Sequence, residues 1–341
     1  MMRVRDLGEF GLIGRIAGSL PQPPPDVVVG IGDDVAVLRG SGPDYFLATC
    51  DVQVENVHFL RTTTTPYQLG RKVVAINVSD IAAMGGTPLW ALVSLALPPD
   101  TDVDFVDGLY QGMGEQIRLA GGSIVGGNLS KIHSEIVIDL CLMGSVAPER
   151  MILRKGARLG DLVLVTGSLG DSRAGLELIG HPEWSISDSA RRTVIEKHLM
   201  PQPRLKEGQA LARLGCVHAM ADVSDGLVSD LQHICGASRV GGEIWVENLP
   251  ISAACKEVAE RAGQDASTWA LTGGEDYELL FTAPETSVPE IQRTLADEMG
   301  TPSHVIGRIV EEMSGVQVRH ADGKTVLYAG GSRGWDHFSG S

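Results

Sequence analysis

The chain has 341 residues, 43% of them hydrophobic and 21% charged, which suits one large or two ordinary globular domains and excludes an intrinsically disordered chain. The formal net charge of −15 argues against a nucleic-acid backbone as partner. Five scattered cysteines without a C-x-x-C suggest neither a disulfide frame nor a zinc site and are expected to be reduced thiols of a cytoplasmic protein, and no apolar run is long enough to span a bilayer.

Glu9 to Ala17 is predicted to form a short helix, and Pro21-Gln22-Pro23-Pro24-Pro25 an extended connector. Val27-Val28-Val29 reads as a strand entering the glycine turn with Asp33 and Asp34. Tyr45 to Cys50 is a strand expected to end on Asp51, with Glu55 and His58 following. From Tyr67 the apolar residues cover most of a helix circumference, so this helix should be buried. It carries Asn77 and Asp80 three apart and stops at Gly85-Gly86 before Pro88. A carboxylate there is costly unless it is paired or holds a cation.

A strand from Leu89 to Leu97 and a helix from Val103 to Ala120 come next. Ser123-Ile124-Val125 then leads into what reads as a tight glycine loop, Gly126-Gly127-Asn128-Leu129-Ser130. Glu135 to Val146 is a long strand, and Ala147-Pro148-Glu149-Arg150 a turn that ends the first domain. The second half begins with a strand Leu162 to Thr166, joined by Gly167-Ser168-Leu169-Gly170 to a helix near Asp171, whose first N–H groups could hold a phosphate or form a plain turn.

Helices are expected over Asp188–Leu199 and Leu205–Leu214. Asp222 should end a strand, with Ser224 or Asp225 capping the helix that follows. A strand Gly242–Val246, a helix Ala253–Ala262, the acidic turn Gly273-Gly274-Glu275-Asp276 and a strand Leu279–Thr282 come next. A helix, a strand and a hairpin about Asp322-Gly323 close the pattern.

Aspartates at strand ends and loop tips, with few histidines, are hard oxygen ligands suited to Mg²⁺ or Mn²⁺ holding phosphate oxygens. No G-x-x-x-x-G-K-[ST], His-Arg-Asp loop or G-x-G-x-x-G is present, which excludes the P-loop, protein-kinase and dinucleotide-binding classes. The residues alone thus point to a metal-dependent enzyme acting on a phosphorylated substrate.

Seven motifs carry a resemblance. Gly30-Ile31-Gly32-Asp33-Asp34, Asp51 with His58-Phe59, Asn77-Val78-Ser79-Asp80-Ile81-Ala82-Ala83-Met84-Gly85, Gly126-Gly127-Asn128, Asp222-Val223-Ser224-Asp225-Gly226-Leu227, Gly273-Gly274-Glu275-Asp276-Tyr277-Glu278-Leu279 and Gly334-Trp335-Asp336-His337-Phe338 run in order along the chain. Together they resemble the thiamine-monophosphate kinase family, in the superfamily of aminoimidazole ribonucleotide synthetase and selenophosphate synthetase. The resemblance implies a two-domain α+β fold, with mixed and antiparallel sheets flanked by helices, and a homodimer. Residues 1–147 would bind ATP and Mg²⁺ and dimerise, and residues 148–341 would complete the phosphate, metal and substrate sites. The implied reaction is direct in-line transfer of the ATP γ-phosphoryl group to thiamine monophosphate, without a phospho-enzyme.

Carried over by motif, Asp34, Thr49, Asp51, Asp80, Asn128, Asp222 and Asp225 are the expected Mg²⁺ ligands. Tyr110, Gly127, Asn128, Arg154 and Ser224 would meet ATP, and His58, Glu275 and Trp335 would hold thiamine monophosphate, whose thiazolium favours an aromatic face and a carboxylate. Many relatives have Gly-Gly-Asp where this chain has Gly126-Gly127-Asn128, which keeps an oxygen but removes a charge. Two rivals stay open: another superfamily enzyme, and a catalytically dead ligand-binding relative. Selenophosphate synthetase needs a reactive cysteine near its start, where this chain has none before Cys50, and the hydrogenase-maturation relative ends in a cysteine, where this chain has Ser341.

Overall fold

The computed structural model describes residues 2–312, 315–320 and 322–328. Its first half runs α1 (Gly8–Ser19), β1 (Val27–Val29), β2 (Ala36–Arg39), β3 (Tyr45–Val54), α2 (Pro66–Ala83), β4 (Thr87–Leu97), α3 (Val103–Leu119), β5 (Ser123–Lys131) and β6 (Val137–Val146). The second half runs β7 (Leu162–Thr166), α4 (Asp171–Gly180), α5 (Asp188–Leu199), α6 (Leu205–Leu214), β8 (Ala219–Asp222), α7 (Leu227–Ser238), β9 (Gly241–Trp245), α8 (Ala253–Ala262), α9 (Ala266–Thr272), β10 (Leu279–Ala283), α10 (Val288–Met299), β11 (Ser303–Val310), β12 (Val316–Arg319) and β13 (Thr325–Tyr328).

The first six strands form one sheet in the order β1-β2-β3-β6-β4-β5. Its pairings are antiparallel except β4 with β5, which the crossover helix α3 makes parallel. Helices α2 and α3 cover its inner face, where Val73, Val78, Ile81, Leu109 and Met113 meet Leu47, Val93 and Leu140. The two helices touch through glycines: a Cβ on Gly70 would lie 2.0 Å from the Leu109 carbonyl oxygen, and one on Gly112 2.1 Å from that of Tyr67. The outer face leaves Phe46, Val52, Trp90 and Leu92 exposed.

The second sheet has the order β13-β12-β9-β11-β7-β10-β8, with only β12 and β9 parallel. Helix α7 packs on one face, and α6 and α10 on the other. Helix α2 ties the halves together. Thr65 and Gln68 close a capping box at its start, with Pro66 in the first turn. Its far end carries Ala82 and Ala83 into the core of the second half, against Leu211 and Phe281.

Two expectations about elements are corrected. Strand β3 continues through Asp51 to Val54, so Asp51 projects from a mid-strand position, on the same face as Leu47 and Thr49. Strand β5 runs through Gly126, Gly127 and Asn128 without a loop. At Gly127 a Cβ would sit 2.0 Å from the Val93 carbonyl oxygen, so this glycine serves close pairing with β4 rather than a turn. Helix α9 was not expected; Asp265 caps it by accepting from the Ser267 N–H at 2.9 Å.

Candidate active site

Carboxylates from both halves converge at the end of α2. Asp34 comes from the β1–β2 connection, Asp80 from the last turn of α2 and Asp222 from the end of β8, and one oxygen of each lies within 4.8 Å of the others. Thr49 donates its hydroxyl to Asp80 Oδ2 at 2.5 Å, and Ser79 donates to Asp222 Oδ2 at 2.6 Å. Asp51, on β3, adds its carboxylate charge next to Asp80. Asp34 Oδ2 and Asp222 Oδ1 are buried and accept no hydrogen bond. Asn77 uses its amide N–H₂ on the Val73 carbonyl within the helix.

Crowding like charges in a buried place favours the neutral acids. Burial first, then Asp139 and Asp34, pushes the Asp51 carboxyl up to about 6. Burial and then Asp34 push Asp222 up to about 7. Asp80 is raised well above the usual range by burial, Asp51 and Asp222. Arg154 offsets part of this: Nε donates to Asp34 Oδ1 at 2.9 Å, and its backbone N–H donates to Asp33 at 3.3 Å. An all-oxygen donor set with orphaned buried carboxylate oxygens fits a hard divalent cation such as Mg²⁺.

Asp225 stands with Asp230 and His233, their ligand atoms within 4.8 Å of one another. The expectation that Ser224 or Asp225 caps α7 is corrected here. Asp230, one turn into the helix, reaches back and accepts from the N–H groups of Ser224, Asp225 and Gly226 at 3.1, 3.3 and 3.1 Å. Ser224 is instead tied through its carbonyl, which accepts from the Glu275 N–H at 2.7 Å. The start of α4 is closed to a phosphate as well: the Gly170 and Ser172 N–H groups donate to Asp276, at 2.6 and 3.1 Å.

Between the halves lies a cavity of about 290 Å³, walled by His58, Leu60, Leu69 and Lys72 on one side and Leu176 and His198 on the other. His58 Nδ1 accepts from the Val54 N–H at 3.0 Å. Beside it, Glu275 pairs with Lys72 Nζ at 2.9 Å and approaches His198 Nδ1 at 3.4 Å. Burial pushes the Glu275 carboxyl up, but Lys72 and His198 more than offset this and leave it below its usual value. Lys72 was missed in the sequence, although a lysine inside an otherwise apolar helix face was the signal.

Tyr110, Gly127 and Asn128 line a second groove of about 290 Å³ at the β5 edge. Asn128 pairs with Ser94, and Ser94 with Asp139, whereas Asp51 pairs with Leu140, and Leu140 with Val93. Paired residues share a face and neighbours alternate, so Asn128 lies on the outer face of the sheet, away from the acids. The structure therefore gathers Asp34, Thr49, Asp51, Asp80, Asp222 and Arg154 and leaves Asn128 apart within one chain. Trp335 and the rest of the closing motif lie outside the described residues.

Two family models match the chain: AIR synthase related protein, N-terminal domain, over residues 32–146, and its C-terminal domain over residues 158–319. These define the class, a two-domain AIR synthase related protein. Thiamine-monophosphate kinase of Aquifex aeolicus is 41% identical over 338 residues, 99% of this chain and 100% of that one. That of Escherichia coli K12 is 34% identical over 333 residues, 97% and 98% of the two chains. Among solved structures, AaThiL complexed with AMPPCP and TMP has a TM-score of 0.85 and 40% identity, with 99% of each chain covered. The HypE–HypF complex, at 19% identity and a TM-score of 0.73 over 93% of this chain and 98% of that one, shares the fold. The chain belongs to the thiamine-monophosphate kinase family.

Proposed function

We propose that the chain transfers the γ-phosphoryl group of ATP to thiamine monophosphate, giving ADP and thiamine diphosphate, on a carboxylate cluster that holds Mg²⁺. The observation that carries the metal part is the meeting of Asp34, Asp80 and Asp222 with buried oxygens left without a hydrogen bond. The full-length kinship to thiamine-monophosphate kinases supports the acceptor. Asp34, Asp51, Asp80 and Asp222 would hold the ions, with Thr49 fixing the Asp80 carboxylate and Ser79 that of Asp222. When bound, Mg²⁺ supplies the positive charge that offsets the phosphoryl oxygens in the transition state.

Arg154, which pairs with Asp34, would exchange that carboxylate for an ATP phosphate, which its planar guanidinium suits. Ser224 and Asp225 lie two and three residues beyond the Asp222 strand end. The groove with Tyr110, Gly127 and Asn128 would take part of the nucleotide. The acceptor would lie in the cavity between the halves, near His58 and Glu275; Trp335, the third expected contact, lies outside the described residues. Its own phosphate oxygen attacks the γ-phosphorus, so no side chain need act as a covalent nucleophile.

The division at residue 147 follows this reading, with nucleotide and metal mostly on the first half and acceptor contacts on the second. The exposed apolar outer face of the first sheet favours a homodimer. Free cysteines, and the absence among the described residues of a helix long and apolar enough to cross a membrane, favour the cytoplasm. Steady-state assay with ATP over a panel of monophosphates tests the reading. Turnover should be selective for thiamine monophosphate and require Mg²⁺; equal rates with the panel, or ATP hydrolysis without acceptor phosphorylation, would overturn it.

A further inference from the structure

Lys72 is out of place by composition. It lies on the buried side of α2, between Leu69 and Val73, with its side chain only 2% exposed. An ammonium in such a position is strongly unfavourable unless a specific partner holds it. That partner is Glu275 Oε1 at 2.9 Å, on the loop that joins α9 to β10. Glu275 differs from it in access: its side chain is 29% exposed against 2% for Lys72, and it adjoins the cavity, whose wall includes Lys72 and His198.

The loop is itself held in an unusual shape. Glu275 has φ of 65° and Tyr277 φ of 50°, left-handed values that a side chain adopts at a cost of about 1–3 kcal/mol unless the surroundings impose them. The backbone anchors are the Glu275 N–H on the Ser224 carbonyl at 2.7 Å and the Tyr277 N–H on the Val223 carbonyl at 2.8 Å. The side-chain anchors are Lys72 on Oε1 and His198 on Oε2. His198 is fixed in turn by Ser172 Oγ at 3.0 Å from its Nδ1. Backbone and side chain of Glu275 are thus held from three elements, one of which, α2, also carries Asp80.

We propose that Lys72 is a positioning residue for the acceptor: from the wall of the cavity between the two halves it fixes the more exposed Glu275 carboxylate beside that cavity, and acts on the acceptor through Glu275. The inference rests on the reading that thiamine monophosphate occupies this cavity. The Lys72 ammonium already balances the Glu275 charge, so the carboxylate offers the acceptor a directed hydrogen-bond acceptor more than a free counter-charge. Glu275 contributes nothing to the metal trio, so loss of its orientation should weaken acceptor binding more than it slows transfer.

The test is a double-mutant cycle on the full chain with Lys72→Met, Glu275→Gln and both together, reading KM for thiamine monophosphate, KM for ATP, kcat and melting temperature. Each single variant should raise KM for thiamine monophosphate by about tenfold and leave KM for ATP unchanged. The double variant should match Glu275→Gln alone, because without the carboxylate Lys72 has nothing left to position. The double variant also carries no unpaired buried charge, so it keeps the comparison readable where Lys72→Met folds poorly. A double variant much worse than Glu275→Gln would make Lys72 a direct ligand and overturn the proposal. A lowered melting temperature with an unchanged KM for thiamine monophosphate would make the pair purely structural and overturn it too. An unaltered chain that fails to phosphorylate thiamine monophosphate overturns the functional reading, and this inference with it, whereas normal turnover with an unmoved KM in Lys72→Met sinks this inference alone.

Discussion

Two groups of buried carboxylates lie in this molecule, and they are treated in opposite ways. Glu278, at the start of β10, is fully matched: Arg204 donates to it at 2.6 and 2.7 Å, Thr166 at 2.7 Å, and Lys197 Nζ lies 3.3 Å away. Asp34, Asp80 and Asp222 have only Arg154 and a few hydroxyls near them, Asp34 and Asp222 each keep an orphaned oxygen, and burial with the neighbouring carboxylates pushes Asp80 and Asp222 toward the neutral form. Both groups are buried acids in a sequence rich in acids. The difference teaches that burial marks neither as functional; the missing cations do, because an unmatched buried carboxylate is unfavourable unless something outside the chain completes it.

Breaking the unmatched group should have the largest effect on activity. Asp80→Asn should lower kcat by about 10²-fold or more while the melting temperature in chelator holds or rises, since one repelling charge is gone; near-normal turnover at saturating Mg²⁺ would remove Asp80 from the ligands. The matched group should show the converse. Glu278→Gln leaves Arg204 and Lys197 without their carboxylate, so unfolding by denaturant should show a loss of about 3 kcal/mol, with activity per folded molecule nearly kept. Trp335→Ala should raise KM for thiamine monophosphate by roughly 5- to 30-fold through lost cation–π contact and stacking, with KM for ATP unmoved; a change in melting temperature alone would make Trp335 a packing residue.

The unmatched group also sets a pH signature. Asp51 and Asp222 have folded values of about 6 and about 7, above the ordinary carboxylate value of 3.8. The folded chain therefore binds more protons than the unfolded one between about pH 4 and 7, and in this window their contribution to stability falls as pH rises. In chelator, the melting temperature of the unaltered chain should drop across that window more than that of Asp222→Asn, and saturating Mg²⁺ should abolish the difference. The smallest effect is expected at Asn128. Lying on the far face of the sheet from the acids, Asn128→Asp should leave the Mg²⁺ dependence of the rate nearly unchanged; a clear shift in half-saturating Mg²⁺ would bring this position to the metals.

Much of the fold was legible. The helices Asp188–Leu199, Leu205–Leu214 and Ala253–Ala262 and the strands Val27–Val29 and Leu162–Thr166 follow their sequence patterns to the residue, because capping residues or turn glycines bound a clean apolar period. The misses have common causes. Gly126-Gly127 reads as a loop locally, yet pairing with Val93 requires a residue without a side chain, a demand made by the neighbouring strand. Helix α9 is too short for periodicity to reveal. In the site, Asp34, Asp51, Asp80 and Asp222 could be picked out by motif, but not the cap made by Asp230 nor the Lys72–Glu275 pair. Asp230 caps from inside the helix, downstream of the usual cap position, whereas Lys72 and Glu275 lie far apart in sequence and only the packing of α2 between the two halves brings them together.

The central claim is that the converging carboxylates of Asp34, Asp80 and Asp222, with Asp34 Oδ2 and Asp222 Oδ1 orphaned, are a cation site. Its most direct test is calorimetric titration of Mg²⁺ into the chelator-treated full chain, in the presence of a non-hydrolysable ATP analogue, for the unaltered protein and for Asp222→Asn. The unaltered protein should bind Mg²⁺ beyond the nucleotide's own ion, with proton release at pH 7 as the raised carboxyls ionise; Asp222→Asn should lose that binding at least about tenfold and release fewer protons. Equal Mg²⁺ affinity and proton release in the two proteins would contradict the account.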